Sequence, residues 1–294
     1  MDRGAAAAAG RRVHSLLDRV ERAARGPRDI PYLVIEDALP RDYYEALAAT
    51  FPTAEAVAGR GVLANNKAYR RPAVAAIGDP RVPEIWRDFL AHHCSRGFFD
   101  EVRRAFAAEI VRWHPRLEEG FGKPLERFTV GMRRPGDAGN PANRAFDIAL
   151  DALFVINSPV TRAGTVRGPH LDGRLKLFAG LFYMRRPEDA STGGDLRFYR
   201  LRRHGRRLPS PALIHPSQVE PAATVPYRAN TLVLFLNTAD SIHGVTPRSR
   251  TASERRYVNL LGECYGGRSP GFYASADPLG RLWQAAKGLL TAGP

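Results

Sequence analysis

The chain has 294 residues, 44% hydrophobic, 9% aromatic and 25% charged. That composition leaves room for a folded core and excludes disordered and collagen-like chains. The net charge of +14 is carried almost wholly by arginine, Lys67, Lys123, Lys176 and Lys287 being the only lysines, a profile that GC-rich coding produces without any polyanionic partner. Two cysteines, Cys94 and Cys264, exclude a disulfide framework or a thiolate zinc site and suit a reducing, cytoplasmic compartment. The alanine run in the first ten residues lacks the large apolar residues of a signal peptide or membrane span.

In chain order, residues 11–26 carry Val13, Leu16, Leu17 and Val20 at three- and four-residue spacing, which predicts a short amphipathic brace helix. A strand is expected over 32–35, a helix over 40–47, and a Gly- and Asn-rich loop over 51–71. From Pro83 to Trp113, Trp86, Leu90, Phe98, Val102, Phe106 and Ile110 recur at helical spacing, predicting a helical layer broken near Gly97. Its aromatic stripe reads as core packing.

After Gly120 the period changes. Short β-rich runs at 128–132, 150–156, 175–184, 196–199, 231–236 and 256–261 are separated by Gly, Pro and Asn clusters. A loop is expected over 133–144, and a closing helix from Asp277 onward, burying Leu282, Trp283, Ala286 and Leu289. Helices followed by strands predict an α+β protein: residues 1–120 a mainly helical segment buttressing a jelly-roll core over 121–294.

Candidate chemistry gathers in that second half. In an extended segment His170 and Asp172 project to one side, so an imidazole and a carboxylate can converge on one ion. His243, 71 residues beyond Asp172 and shortly after the apolar run 232–236, can supply a second imidazole. Two histidines and one carboxylate form a facial set that leaves positions open on Fe(II). Arg255 and Arg256 open the run 256–261, and a guanidinium inside a barrel needs an anion; either can serve.

These residues, in this order, resemble the 2-oxoglutarate/Fe(II)-dependent dioxygenases, particularly the prolyl-hydroxylase-like branch. The resemblance covers about residues 165–262: the His-x-Asp at His170 and Asp172, the run ending Leu181, Phe182, Tyr183, Met184, the Gly193–Gly194–Asp195–Leu196 turn, the 232–236 run, and His243 to Pro247 ahead of Arg256 and Tyr257. It implies a double-stranded β-helix (jelly-roll) barrel, His170, Asp172 and His243 as metal ligands, and Fe(II), 2-oxoglutarate and O2 as the reaction's requirements. Arg256, with Arg255 and Arg248 as alternatives, is the implied anchor for the far carboxylate of 2-oxoglutarate, supported by Tyr183. Hydroxylation with release of succinate and CO2 is the implied reaction, desaturation and cyclisation being variants. Halogenating relatives carry a small residue where Asp172 stands, so halogenation is not expected.

Other features have plainer readings. His14, His92, His93, His114, His204 and His215 lie outside the pattern. The basic run 197–207, with Arg200, Arg202, Arg203 and Arg206, reads as a solvated edge or as a rim for an anionic substrate; Arg167 and Arg174 flank the metal motif and are candidate substrate contacts. The loops around Asn65–Asn66–Lys67 and over 133–144 are candidate lids. The competing reading is a non-catalytic basic barrel that binds nucleic acid or another polyanion, which leaves the His170, Asp172, His243 and Arg256 series unexplained. A cupin-like metal site is disfavoured because such sites use more histidines. The substrate and the oligomeric state are not legible.

Overall fold

The computed structural model describes residues 12–59, 65–136, 140–202 and 214–266. Eleven strands and seven α-helices are described. The strands are β1 (Ala24–Arg25), β2 (Tyr32–Ile35), β3 (Ala68–Arg71), β4 (Val130–Met132), β5 (Ile148–Asn157), β6 (Lys176–Tyr183), β7 (Leu196–Leu201), β8 (Val219–Val225), β9 (Thr231–Leu236), β10 (His243–Val245) and β11 (Arg255–Cys264). The helices are α1 (Arg41–Ala49), α2 (Ala54–Ala58), α3 (Ala73–Ile77), α4 (Glu84–His93), α5 (Arg96–Ala105), α6 (Ala107–Trp113) and α7 (Leu117–Phe121).

A large sheet runs in the order β1-β2-β9-β6-β11-β5-β3, antiparallel throughout, with β4 parallel to β5 at the side; a three-stranded sheet runs β10-β7-β8. Alternation assigns the large sheet's two faces. One face puts Phe154, Ile156, Phe182, Leu232, Leu234, Val258 and Leu260 in a cluster with Trp86, Phe89, Leu90 and Phe98 of the helices. The Phe154 ring meets Trp86 edge-on at 4.8 Å, and the Trp86 indole donates to the Leu47 carbonyl at 3.1 Å, so the largest core side chain is satisfied as well as buried. The other face puts Val155, Tyr183, Val233, Phe235 and Tyr257 against Leu196 and Phe198 of β7 and Val225 of β8. Because both faces are covered, β5, β9 and β11 are buried almost without interruption, which is why they read as unbroken apolar runs.

Several expectations need correction. Residues 12–26 form turns, a 3-10 turn at Val20–Arg22 and β1, not an α-helix. Leu16 and Leu17 are buried as their spacing suggests, but their backbone N–H groups donate to His93 Nε2 (3.1 Å) and Ser15 Oγ (3.2 Å), side-chain acceptors competing with the helical ladder. The expected loop over 51–71 contains α2, capped by Thr53 Oγ1 accepting from Ala56 N, and β3. The helical layer breaks at Cys94–Ser95, where Ser95 Oγ caps α5, and again at Phe106. Near the expected loop over 133–144, Arg133 is buried, donating to Glu263 at 2.6 Å, and fully buried Asn143 accepts from Arg134 N and donates to Arg134 O. Strands β1, β2 and β3 lie in the large sheet, so the first 120 residues contribute strands as well as helices. The closing helix expected from Asp277, and the part of the basic run from Arg203 to Arg207, lie outside the described residues. No described helix is long and apolar enough to cross a membrane.

Candidate metal centre and anion pocket

Residues 167–170 lie antiparallel to 243–245. His170 N donates to His243 O and His243 N to His170 O, both at 2.9 Å, and Val245 N donates to Arg167 O at 2.9 Å. Between and before the histidines, Leu171 and Ile242 turn into a small apolar cluster with Ile214 and Val219. Those two anchors leave His170, Asp172 and His243 projecting together, with ligand-capable atoms all within 4.8 Å of one another. The three are 4%, 7% and 6% exposed, too buried to be an accidental surface grouping.

Both imidazoles are oriented by backbone. His170 Nδ1 is 2.9 Å from the Gly168 carbonyl and His243 Nδ1 is 2.8 Å from the Ser241 carbonyl. A carbonyl can only accept, so each Nδ1 carries the proton and each Nε2 offers its lone pair to the shared space. The Asp172 oxygens lie 4.0 Å from His170 Nε2 and 3.8 Å from His243 Nε2. Phe235 and Phe198 pack beside the His243 ring, at 4.6 and 6.4 Å.

The electrostatics favour the ligating forms. Burial, reinforced by His243 and Arg167, pushes the pKa of His170 down to about 3, and burial also lowers that of His243 against the pull of Asp172. For Asp172 burial alone would raise the pKa, but Lys176, His243 and His170 outweigh it and hold the carboxyl well below its usual range. The sequence reading missed Lys176: its Nζ sits 3.0 Å from Asp172 Oδ1. Its only signal was a lysine four residues beyond the aspartate. Arg167, a candidate substrate contact, has Nη1 4.0 Å from the same oxygen with half its side chain exposed.

The arginines sort by register. In β11, Arg255 shares the parity of Tyr257 and faces the inter-sheet cluster, whereas Arg256 shares that of Val258 and Leu260 and faces the helices. Arg256 therefore does not join the metal ligands: its Cζ lies 5.0 Å from the Phe51 ring. Arg255 is 1% exposed and lies within 4.6, 4.9 and 5.2 Å of the rings of Tyr257, Tyr227 and Tyr183. Its Nε donates to the Gly194 carbonyl at 2.8 Å and Nη1 to Asn157 Oδ1 at 3.4 Å, while Nη2 has no partner. Asn157 Nδ2 and the Tyr183 hydroxyl are also buried without a partner. Burial, only partly offset by Arg255, raises the Tyr183 pKa, so the phenol stays protonated and able to donate. Among the described residues no carboxylate lies within ion-pairing distance of Arg255, unlike Arg248, which is matched by Asp189 at 2.7 Å. Gly194 contributes its carbonyl from a left-handed conformation (φ +77°), and a Cβ there would press on Arg255 Cδ and Arg248 Cδ at 3.4 Å.

The described stretch of the basic run is engaged elsewhere: Arg200 forms a bidentate pair with Asp29 and Arg202 donates to the Val219 carbonyl. The two cysteines are free and buried.

No family model matches the chain, and no curated protein matches it. Among solved structures, a Pseudomonas putida prolyl-4-hydroxylase is similar at 18% identity over 85% of this chain and 98% of that one, with a TM-score of 0.42. The non-heme alpha-ketoglutarate-dependent carbocyclase SnoK of nogalamycin biosynthesis is similar at 13% identity over 87% and 88%, TM-score 0.45. A Trichoplax adhaerens prolyl hydroxylase in complex with a hypoxia-inducible-factor peptide follows at 11% identity over 79% and 83%, TM-score 0.39. At these values the likeness is loose, and the functional reading rests on the residues of the site.

Proposed function

We propose that this protein is an Fe(II)- and 2-oxoglutarate-dependent oxygenase, most simply a hydroxylase, whose two sheets form a jelly-roll core to which the first 120 residues add β1, β2 and β3 as well as the buttressing helices. The carrying observation is the pairing of a buried two-histidine, one-carboxylate cluster, each imidazole fixed at Nδ1 by a carbonyl, with a buried acid-free guanidinium, both bordering the inter-sheet cluster: His243 packs by Phe198 and Phe235, and Arg255 by Tyr183 and Tyr257. Two neutral imidazole nitrogens and one carboxylate oxygen are a donor set suited to Fe(II) with open positions. The unpartnered Arg255 Nη2, Asn157 Nδ2 and Tyr183 hydroxyl are donors suited to a carboxylate.

In this reading His170, Asp172 and His243 hold the metal, Arg255 takes the cosubstrate-anchoring role that the resemblance gave to Arg256, and Tyr183 supports it. Bound iron and 2-oxoglutarate supply the oxidation of a substrate C–H bond by O2, with succinate and CO2 as co-products. The chain itself orients: Gly168 and Ser241 hold the imidazoles, Lys176 neutralises one carboxylate oxygen, and Phe198 and Phe235 keep water from the His243 side. A basic polyanion-binding module would need none of these features.

The test is anaerobic titration of metal-free protein with Fe(II) and then 2-oxoglutarate, following the visible metal-to-ligand charge-transfer band. The band is expected in wild type and absent in His243→Ala. Its absence from folded, iron-saturated wild type would overturn the oxygenase reading.

A further inference from the structure

Arg256, displaced from the metal side by its register, ends in a separate cleft of about 970 Å³ between α1 and the segment 185–188 that follows β6. We propose that this cleft is a second ligand site, on the helix-side face of the large sheet, and that it takes a small organic carboxylate on Arg256 and Arg186.

The argument starts from charge. Arg256 is 7% exposed and its Nε donates to the Met184 carbonyl at 3.3 Å. Among the described residues no carboxylate lies within ion-pairing distance of it, and its Nη1 and Nη2 make no hydrogen bond. A guanidinium this deep is costly without an anion. The acids that line the cleft do not supply one: Glu45 is paired with Arg41 at 2.8 Å and Glu188 with Arg186 at 3.4 Å, while Asp37 is exposed. Glu254 does not line the cleft and pairs with Arg186 at 3.7 Å.

The geometry of the free edge selects the ligand. With Nε already used, the Nη1/Nη2 edge remains, two parallel donors that match a planar carboxylate. Phe51 packs against the guanidinium, and Ala48 and Ala49 extend an apolar wall for a carbon skeleton. Tyr44 lines the cleft as well; burial pushes its pKa up to about 12, so it offers a neutral hydroxyl. The volume is within the range of small-molecule sites.

Isothermal titration of metal-free protein with sodium benzoate, and in a parallel arm with inorganic phosphate, tests the assignment. Saturable benzoate binding is expected in wild type, unchanged in His243→Ala and Arg255→Gln, at least tenfold weaker in Arg256→Gln and at least threefold weaker in Arg186→Gln. Absence of saturable benzoate binding, undiminished binding in Arg256→Gln, or binding lost in Arg255→Gln instead would overturn the site. Phosphate binding without benzoate binding would overturn the carboxylate assignment. Should Arg256→Gln fail to fold by circular dichroism, Arg186→Gln and Tyr44→Phe decide the matter, undiminished affinity in both counting against the site.

Discussion

Arg255 and Arg256 are chain neighbours whose guanidinium groups lie on opposite faces of one sheet, Arg255 at 4.6 Å from the Tyr257 ring and Arg256 at 5.0 Å from the Phe51 ring. Their roles should therefore separate cleanly. In succinate-release assays or in the charge-transfer titration, Arg255→Gln is expected to raise the 2-oxoglutarate requirement at least thirtyfold, since a buried charge-assisted contact contributes roughly 2–3 kcal/mol. Arg256→Gln should stay within about threefold of wild type, a change of under ~1 kcal/mol. The reverse ranking would return the anchor to Arg256.

Lys176 competes with any metal for Asp172. Lys176→Met removes a cation 3.0 Å from the carboxylate, leaving buried Asp172 with only the longer contact to half-exposed Arg167 at 4.0 Å until a metal arrives. Metal-free stability is expected to fall by about 2 kcal/mol, less than for a fully buried pair because Lys176 is partly solvated. Divalent metal, supplied as Mn(II), should bind several-fold tighter and raise Tm by more than in wild type, as read by calorimetry.

His93 predicts a pH dependence. Burial, with a contribution from His92, pushes its pKa down to about 3, its Nδ1 donating to Phe89 O and its Nε2 accepting from Leu16 N. Between about pH 3 and the unfolded value near 6.5 the unfolded chain binds a proton that the folded chain refuses, so stability is full above that window and falls as pH drops through it. His93→Met should cost about 2 kcal/mol at pH 7 through the orphaned Leu16 N–H. It should also flatten the acid limb by up to ~1.4 kcal/mol per pH unit. His170 titrates in both proteins and cancels in the comparison. Urea unfolding at pH 5, 6 and 7 measures both effects.

Gly244 sets the spacing between the two histidine segments. A Cβ there would lie 2.9 Å from the Gly168 carbonyl carbon and oxygen and 3.1 Å from Pro169 N, with backbone on the far side that cannot swing away. Gly244→Ala should keep its far-UV circular dichroism yet lose at least tenfold in Mn(II) affinity. Gly168→Ala, whose Cβ would meet nothing within 4 Å, is the matched control and should bind normally.

The buried central strands were legible because burial on both faces writes a continuous apolar run, as in Thr231–Leu236. Strand β8 was not: it lies beside β7 at the edge of the small sheet, contains Pro221 and exposes Glu220, so its pattern is that of a loop. Strand β10 is three residues long, too short for any period to register. The residue types at the candidate metal cluster could be read because that chemistry needs specific donors. Which of the two arginines faces the inter-sheet cluster could not be read, because a one-residue change of parity exchanges the faces of a strand, and nothing in the local sequence distinguishes Arg255 from Arg256. The partners of Arg255 were equally hidden: Asn157 lies 98 positions away, joined only through β5–β11 pairing.

The reciprocal backbone bonds between His170 and His243 have a thermodynamic consequence. The two imidazoles are brought into register by reciprocal peptide hydrogen bonds, so part of their ordering is already accomplished by the folding of the chain. A metal entering this cluster gathers no scattered ligands. Loading should therefore leave the heat capacity and the compactness of the protein nearly unchanged, as a rigid receptor does, rather than trigger the coil-to-fold transition of a metal-nucleated domain.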